Sequence, residues 1–153
     1  IDMLLAERFG MYYIDENGEK KLPYIIHRTS LGCYERTLAY IIEEFAGALP
    51  LWLMPTQVKV LPITDRSRAF AEEVVRKLDE AGIRVEGDYR SEKLGYKIRE
   101  AQKEKTPYML VVGDKEAENG TVSVRTRAGG DEGVMSVEDF TARCLMEIAT
   151  KKK

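Results

Sequence analysis

Residues 26–57, IHRTSLGCYERTLAYIIEEFAGALPLWLMPTQ, put the only histidine of the chain, His27, and a helix-borne arginine, Arg36, directly ahead of a second folding unit. Leu38, Ile41, Ile42 and Phe45 recur at helical spacing and Gly47 follows as a stop, which predicts an amphipathic helix with one face in a core. Before it, residues 24–28 read as a strand paired with residues 9–14 across an Asp-Glu-Asn-Gly turn at 15–18, so that His27 sits at a strand end. After it, Pro50 and Pro55 on either side of Trp52 end the helix and make a linker or domain entry.

Beyond Gln57 the pattern changes to strands alternating with helices. Residues 58–63 form an apolar strand, and Thr64 or Asp65 caps a helix built on Phe70, Val74, Val75 and Leu78 and ended by Gly82. A short strand follows at 83–85, then a helix from a Ser91 cap to about Gln102, then the apolar strand 108–112 behind Pro107. Asn119-Gly120 reads as a hairpin turn into a strand at 121–127, and Gly129, Gly130 and Gly133 as a flexible link. Ser136 with Asp139 three residues on opens a last helix, and residues 151–153 form a frayed basic tail. The alternation predicts an α/β fold with a mixed, mainly parallel sheet flanked by helices and at least one antiparallel strand.

Composition narrows the function classes. With 153 residues, 44% hydrophobic and 33% charged, the chain has enough apolar material for one full domain and part of another. No apolar run approaches the roughly 20 residues that span a bilayer, so a cytosolic protein is expected. A formal net charge of −2 argues against binding nucleic acid by bulk electrostatics, and any such contact has to be local. Cys33 and Cys144 fall in unrelated segments and read as reduced thiols. The chain begins at Ile1, and its first fifty residues hold too little to bury a core alone, which reads as a fragment.

The string HRTSLGCYER at 27–36, followed by the helix and by PLWLMP at 50–55, resembles the motif 3 region of the threonyl-tRNA synthetase family, a class II synthetase family. The resemblance continues through RSEKLGYKIRE at 90–100 to residues 124–127 and covers essentially the whole chain. It implies a division into residues 1–50, the end of a class II catalytic domain, and residues 51–153, a class IIa anticodon-binding domain preceded by the hairpin and helix remnant.

It also implies roles. Arg36 would bind ATP, since a guanidinium stays charged and offers a planar fork to phosphate oxygens. His27 would be one of three protein ligands to a threonine-binding zinc in the parent enzyme, whose open coordination position takes the substrate. Lys93, Arg99, Glu116 and Arg125 match positions that hold anticodon bases, with Ser91, Tyr96 and Arg127 as neighbours; hydrogen bonds to base edges and stacking are the chemistry available to such groups. Ser91 and Cys33 depart from the family's usual asparagine and serine. The parent implied is a cytoplasmic homodimer of protein biosynthesis that activates threonine with ATP and Mg and charges tRNA(Thr). The fragment itself would be inactive, bind no cofactor and recognise the tRNA anticodon arm.

On spacing alone, Arg36 reads as an exposed arginine, His27 as a structural or surface group, and the charges of 84–118 as a solvated surface. Two other assignments remain open: a class IIa synthetase for histidine, proline or glycine, and a non-catalytic module such as the accessory subunit of a DNA polymerase.

Overall fold

The computed structural model describes residues 1–29 and 31–152, so Ser30 in the first quoted string and Lys153 in the expected tail lie outside the described residues. The chain divides into two compact units, Ile1–Ala39 and Tyr40–Lys153.

In the first unit Asp2 accepts the backbone N–H groups of Leu4 and Leu5 on one carboxylate oxygen, both at 2.9 Å, and so holds the start of a single helical turn, α1 (Leu5–Arg8). These two bonds keep the Asp2 carboxyl below its ordinary value. Strand β1 (Tyr13–Ile14) pairs antiparallel with β2 (Lys20–Lys21), and Asp15 closes the turn by accepting from Asn17 and Glu19 at 2.9 Å each. The expected hairpin exists, but its second strand is β2 rather than residues 24–28. The reason is local: the Asx turn at Asp15 brings Lys20 and Lys21 back at once, and of the later segment only Ile25 bridges, to Asp2. His27 is therefore not in a strand.

Helix α2 (Tyr34–Glu44) forms where periodicity placed it, and Gly47 follows at φ +75°. Its apolar face is not core: none of its residues is buried, and Leu38 and Ile42 stay about half exposed. Periodicity reports that a face is apolar and says nothing about what covers it.

The second unit holds a five-stranded sheet in the order β4-β3-β5-β6-β7. Residues 49–55, expected as a linker or domain entry, make a 3-10 turn at Leu51–Leu53 that buries Leu51 and Met54. Strand β3 (Val58–Pro62) leads through a turn at Asp65–Ser67 into α3 (Arg68–Glu80). Strand β4 (Val85–Gly87) begins two residues later than expected and lies parallel to β3. Next come α4 (Leu94–Lys103), with Lys93 rather than Ser91 at the N-cap position and no side-chain cap bond there, and β5 (Tyr108–Val112), parallel to β3 on its other side. Moving left from β3 to β4 and then right to β5 with right-handed crossovers puts α3 and α4 on opposite faces of the sheet.

Two expectations fail between Gly113 and Ser136. Asn119-Gly120 is not a hairpin turn: residues Asp114–Asn119 form a short helix, α5, and Gly120 ends it in the left-handed conformation at φ +68°. Glu116 favours this outcome by accepting the Gly113 N–H at 2.9 Å, which satisfies a donor at the helix start. The glycines at 130 and 133 are not a loose link but part of β7 (Gly130–Ser136), which pairs antiparallel with β6 (Thr121–Thr126) around an irregularity between Val124 and Arg125. The sheet is mixed, with two parallel and two antiparallel pairings. Helix α6 (Val137–Ala149) starts as expected, Ser136 Oγ accepting the Asp139 N–H at 3.0 Å.

The larger core lies between the sheet and helices α3 and α6: Val58, Val60, Leu110 and Val124 meet Val74, Leu78, Phe140 and Cys144. Phe140 meets the Tyr108 ring edge-on at 5.3 Å, a contact that contributes about 1 kcal/mol beyond area burial. Burial and the neighbouring Glu147 push the Tyr108 phenol well above its ordinary value. On the opposite face α4 alone packs, setting Leu94, Ile98 and Ala101 on Leu61 and Met109.

Candidate nucleic-acid interface

Side chains alternate across a strand, so the register determines what each face offers. Val122 and Val124 of β6 enter the larger core, which leaves Ser123 and Arg125 on the face that carries α4. Arg125 stands opposite Met109, which α4 covers, and on β7 Asp131 stands opposite Arg125 and Val134 opposite Ser123. Val134 is exposed. Among the described residues α4 alone contributes to the core on this face; β5 and β6 are joined through the short helix α5 and β6 and β7 by a turn, so neither antiparallel pairing needs a crossover. The result is a shelf of open sheet beside α4.

Helical geometry aims α4 at that shelf. With Leu94, Ile98 and Ala101 on the sheet, Lys97 falls on one flank and Arg99 on the other, while Tyr96 points outward. Lys97 reaches toward β3 and β4, donating to the carbonyls of Pro62 at 3.1 Å and Asp88 at 3.0 Å. Arg99 and Tyr96 are exposed. Arg125 is held by Asp131 at 3.3 Å, a surface pair that a stronger acceptor can displace at little cost.

Ser91 and Lys93 lie at the carboxyl ends of the parallel strands, where α4 begins, and both are exposed. Glu116 is at the same end, in the first turn of α5, with its Oε2 already engaged by Gly113. Lys93 and Arg99 are six residues apart along α4, about 9 Å of helix rise, and Arg125 lies on β6 of the sheet against which α4 packs. Arg127 is oriented elsewhere. Its guanidinium donates to the carbonyls of Ala48 at 3.1 Å, Leu49 at 3.2 Å and Lys105 at 2.7 Å, and burial lowers its pKa.

Arg36 and His27, in the first unit, are exposed, and the Arg36 N–H donates to Cys33 Sγ at 3.4 Å, which makes Cys33 the capping residue ahead of α2 rather than a residue within it. Among the described residues no three His, Cys, Asp or Glu side chains come together as a metal site, so His27 is a single donor and the residues present do not make a zinc site.

Sequence reasoning missed two features of the second unit. Arg84 clamps the Trp52 and Met54 carbonyls with its guanidinium, and Lys97 is 4% exposed with no carboxylate partner among the described residues. A lysine on the apolar side of a helix, three residues after Leu94 and one before Ile98, was the available signal for the second.

The family model described as anticodon binding domain matches residues 57–146. The chain belongs to the anticodon-binding domain family. Its curated relatives include threonine–tRNA ligases of Clostridium perfringens, 62% identical over 152 residues, and of Clostridium botulinum (strain Eklund 17B), 63% identical over 153 residues. The threonine–tRNA ligase of Acetivibrio thermocellus is 52% identical over 152 residues. This anticodon-binding-domain protein is matched over 99–100% of its length and spans 24% of each of those three relatives. Among solved structures, the RNA binding domain of threonyl-tRNA synthetase from Cryptosporidium parvum Iowa II matches with a TM-score of 0.73 and 35% identity, covering 95% of this chain and 37% of that one. Among the described residues no helix is long and apolar enough to cross a membrane.

Proposed function

We propose that this chain is the tRNA-recognising portion of a threonyl-tRNA synthetase and that the shelf beside α4 receives the anticodon bases of tRNA(Thr). The observation that carries the reading is the β6–β7 face that presents Arg125 on the side of the sheet where α4 packs, in a chain similar to a solved RNA binding domain. Unpaired bases can stack on Tyr96 and offer their edges to the two guanidinium groups, and Glu116 and Lys93 can supply an acceptor and a donor at the far end. Ser91 is a neighbour with a short reach. Arg127, spent on three carbonyls, supports the shelf from beneath rather than reading a base.

The parent enzyme would activate threonine with ATP and Mg, charge tRNA(Thr), and work in the cytoplasm as a homodimer. In that reading residues 1–50 close the catalytic domain and residues 51–153 form the anticodon-binding domain. Arg36, exposed and in no ion pair among the described residues, suits an ATP phosphate. His27 would need ligands from elsewhere in the parent to hold zinc.

The test is a binding isotherm for the chain with the anticodon stem-loop of tRNA(Thr) and with that of tRNA(Ala). Preference for the threonine arm is expected. Equal binding of both would remove the reading.

A further inference from the structure

Tyr96 lies on α4 with 46% of its surface exposed, and an aromatic side chain so placed on a helix ordinarily samples more than one rotamer. One of its two ring faces is already occupied. The Arg90 guanidinium carbon stands over the ring, 5.8 Å from its centroid, within reach of a cation–π attraction.

Arg90 is itself held. Its Nε and Nη2 donate to the two carboxylate oxygens of Asp88 at 2.9 and 2.7 Å, a planar fork on a planar acceptor, and its backbone N–H donates to Oδ1 at 3.2 Å. The side-chain bond from Arg90 keeps the Asp88 carboxyl below its ordinary value. Asp88 is fixed in turn by the sheet and by α4: its N–H donates to the Val60 carbonyl at 2.9 Å, and its carbonyl accepts from the Lys97 ammonium at 3.0 Å. Lys97 follows Tyr96 in the helix, so the contacts close on themselves. The helix that carries the ring is tied to the residue that anchors the cation over it.

We propose that Arg90, locked by Asp88, is a positioning residue for anticodon recognition: it backs one face of Tyr96 and leaves the other as a preformed platform for one unpaired base of the anticodon loop. This rests on the function proposed above and adds to it what holds the platform. A ring already fixed in its binding conformation gives up less freedom when a base stacks on it. With its charge answered by the Asp88 carboxylate, Arg90 acts through the ring rather than on a phosphate.

A double-mutant cycle on the chain, read as binding to the anticodon stem-loop of tRNA(Thr), tests this. Arg90→Gln should weaken binding about two- to tenfold where Tyr96 is present, the ordering cost of one side chain, and change nothing in the Tyr96→Leu background. The slope of log K against log salt should stay at its wild-type value. Equal losses in both backgrounds, or a slope smaller by about 0.7–0.9 as loss of one phosphate contact gives, would make Arg90 a direct RNA contact and overturn the proposal. Unchanged binding in the Tyr96 background overturns it too. Asp88→Asn keeps the volume, removes the carboxylate that holds the fork, and should reproduce the same cycle; it decides the matter should Arg90→Gln not fold. Failure of the positioning role leaves the preference for the threonine arm over the alanine arm intact and changes only the cycle. Equal binding of the two arms by the wild type would instead remove the anticodon reading, and the platform with it.

Discussion

Gln57 Oε1 accepts the backbone N–H of Arg84 at 2.9 Å while its Nε2 donates to the Leu51 carbonyl at 2.9 Å, with the side chain fully buried. One amide thus ties the 3-10 turn at Leu51–Leu53 to the approach of β4, and the Arg84 guanidinium reaches back to Trp52 and Met54 to reinforce the tie.

Gln57→Leu keeps the volume, strands the Arg84 N–H and leaves the Leu51 carbonyl with only the Met54 N–H at 3.3 Å. Each unsatisfied group costs about 1–3 kcal/mol. Urea denaturation should show a lower midpoint with an unchanged m value. An unchanged midpoint would mean that water replaces the amide.

Arg127→Met removes every hydrogen bond that Arg127 makes to Ala48, Leu49 and Lys105. The expected result is lower stability, by about 1–3 kcal/mol, with the preference among anticodon arms retained. Lost preference in a fully stable variant would make Arg127 a base reader instead.

Cys33 caps α2 through sulfur, a weak acceptor, so Cys33→Ser should strengthen the helix start by about 0.5–1 kcal/mol. Hydrogen exchange at the Arg36 amide reads this directly. Slower exchange is expected, and unchanged exchange would show that the sulfur already serves as well as oxygen.

The two thiols should separate by reactivity. Cys33 is exposed, whereas Cys144 is buried against α3 and the sheet, and burial pushes its thiol up to about 12 from 9.0. A thiol reagent should modify Cys33 quickly and Cys144 only on unfolding. The sign for stability follows: between pH 9 and 12 the unfolded chain loses a proton that the folded one keeps, so this contribution is complete below 9.0 and is lost as the pH rises toward 12. Cys144→Ala should flatten that alkaline loss. A steep loss in the variant would assign it to other groups.

Much of this fold was legible because its signals are local. The apolar run Tyr108–Val112, the Ser136 cap and the stop at Gly47 are each determined within a few residues. The misreadings share a cause, competition between local options. Asn119-Gly120 can turn a hairpin or end a helix, and Glu116 capping Gly113 tips it toward the helix. Glycines at 130 and 133 suggested slack, yet backbone pairing with β6 needs no side chain. Site residues were legible only as members of a resembling string. That α4 and Arg125 share one face of the sheet depends on strand register and on which strands α4 packs against, which no single segment of the sequence contains.

The shelf is tested most directly by comparing Arg125→Ala with Arg76→Ala, on the opposite face in α3, for binding to the tRNA(Thr) anticodon arm. The account predicts that Arg125→Ala weakens binding about tenfold or more and erases discrimination against the alanine arm, since one base contact is worth about 1–3 kcal/mol, while Arg76→Ala changes neither. Equal effects of the two substitutions, or intact discrimination in Arg125→Ala, would contradict it.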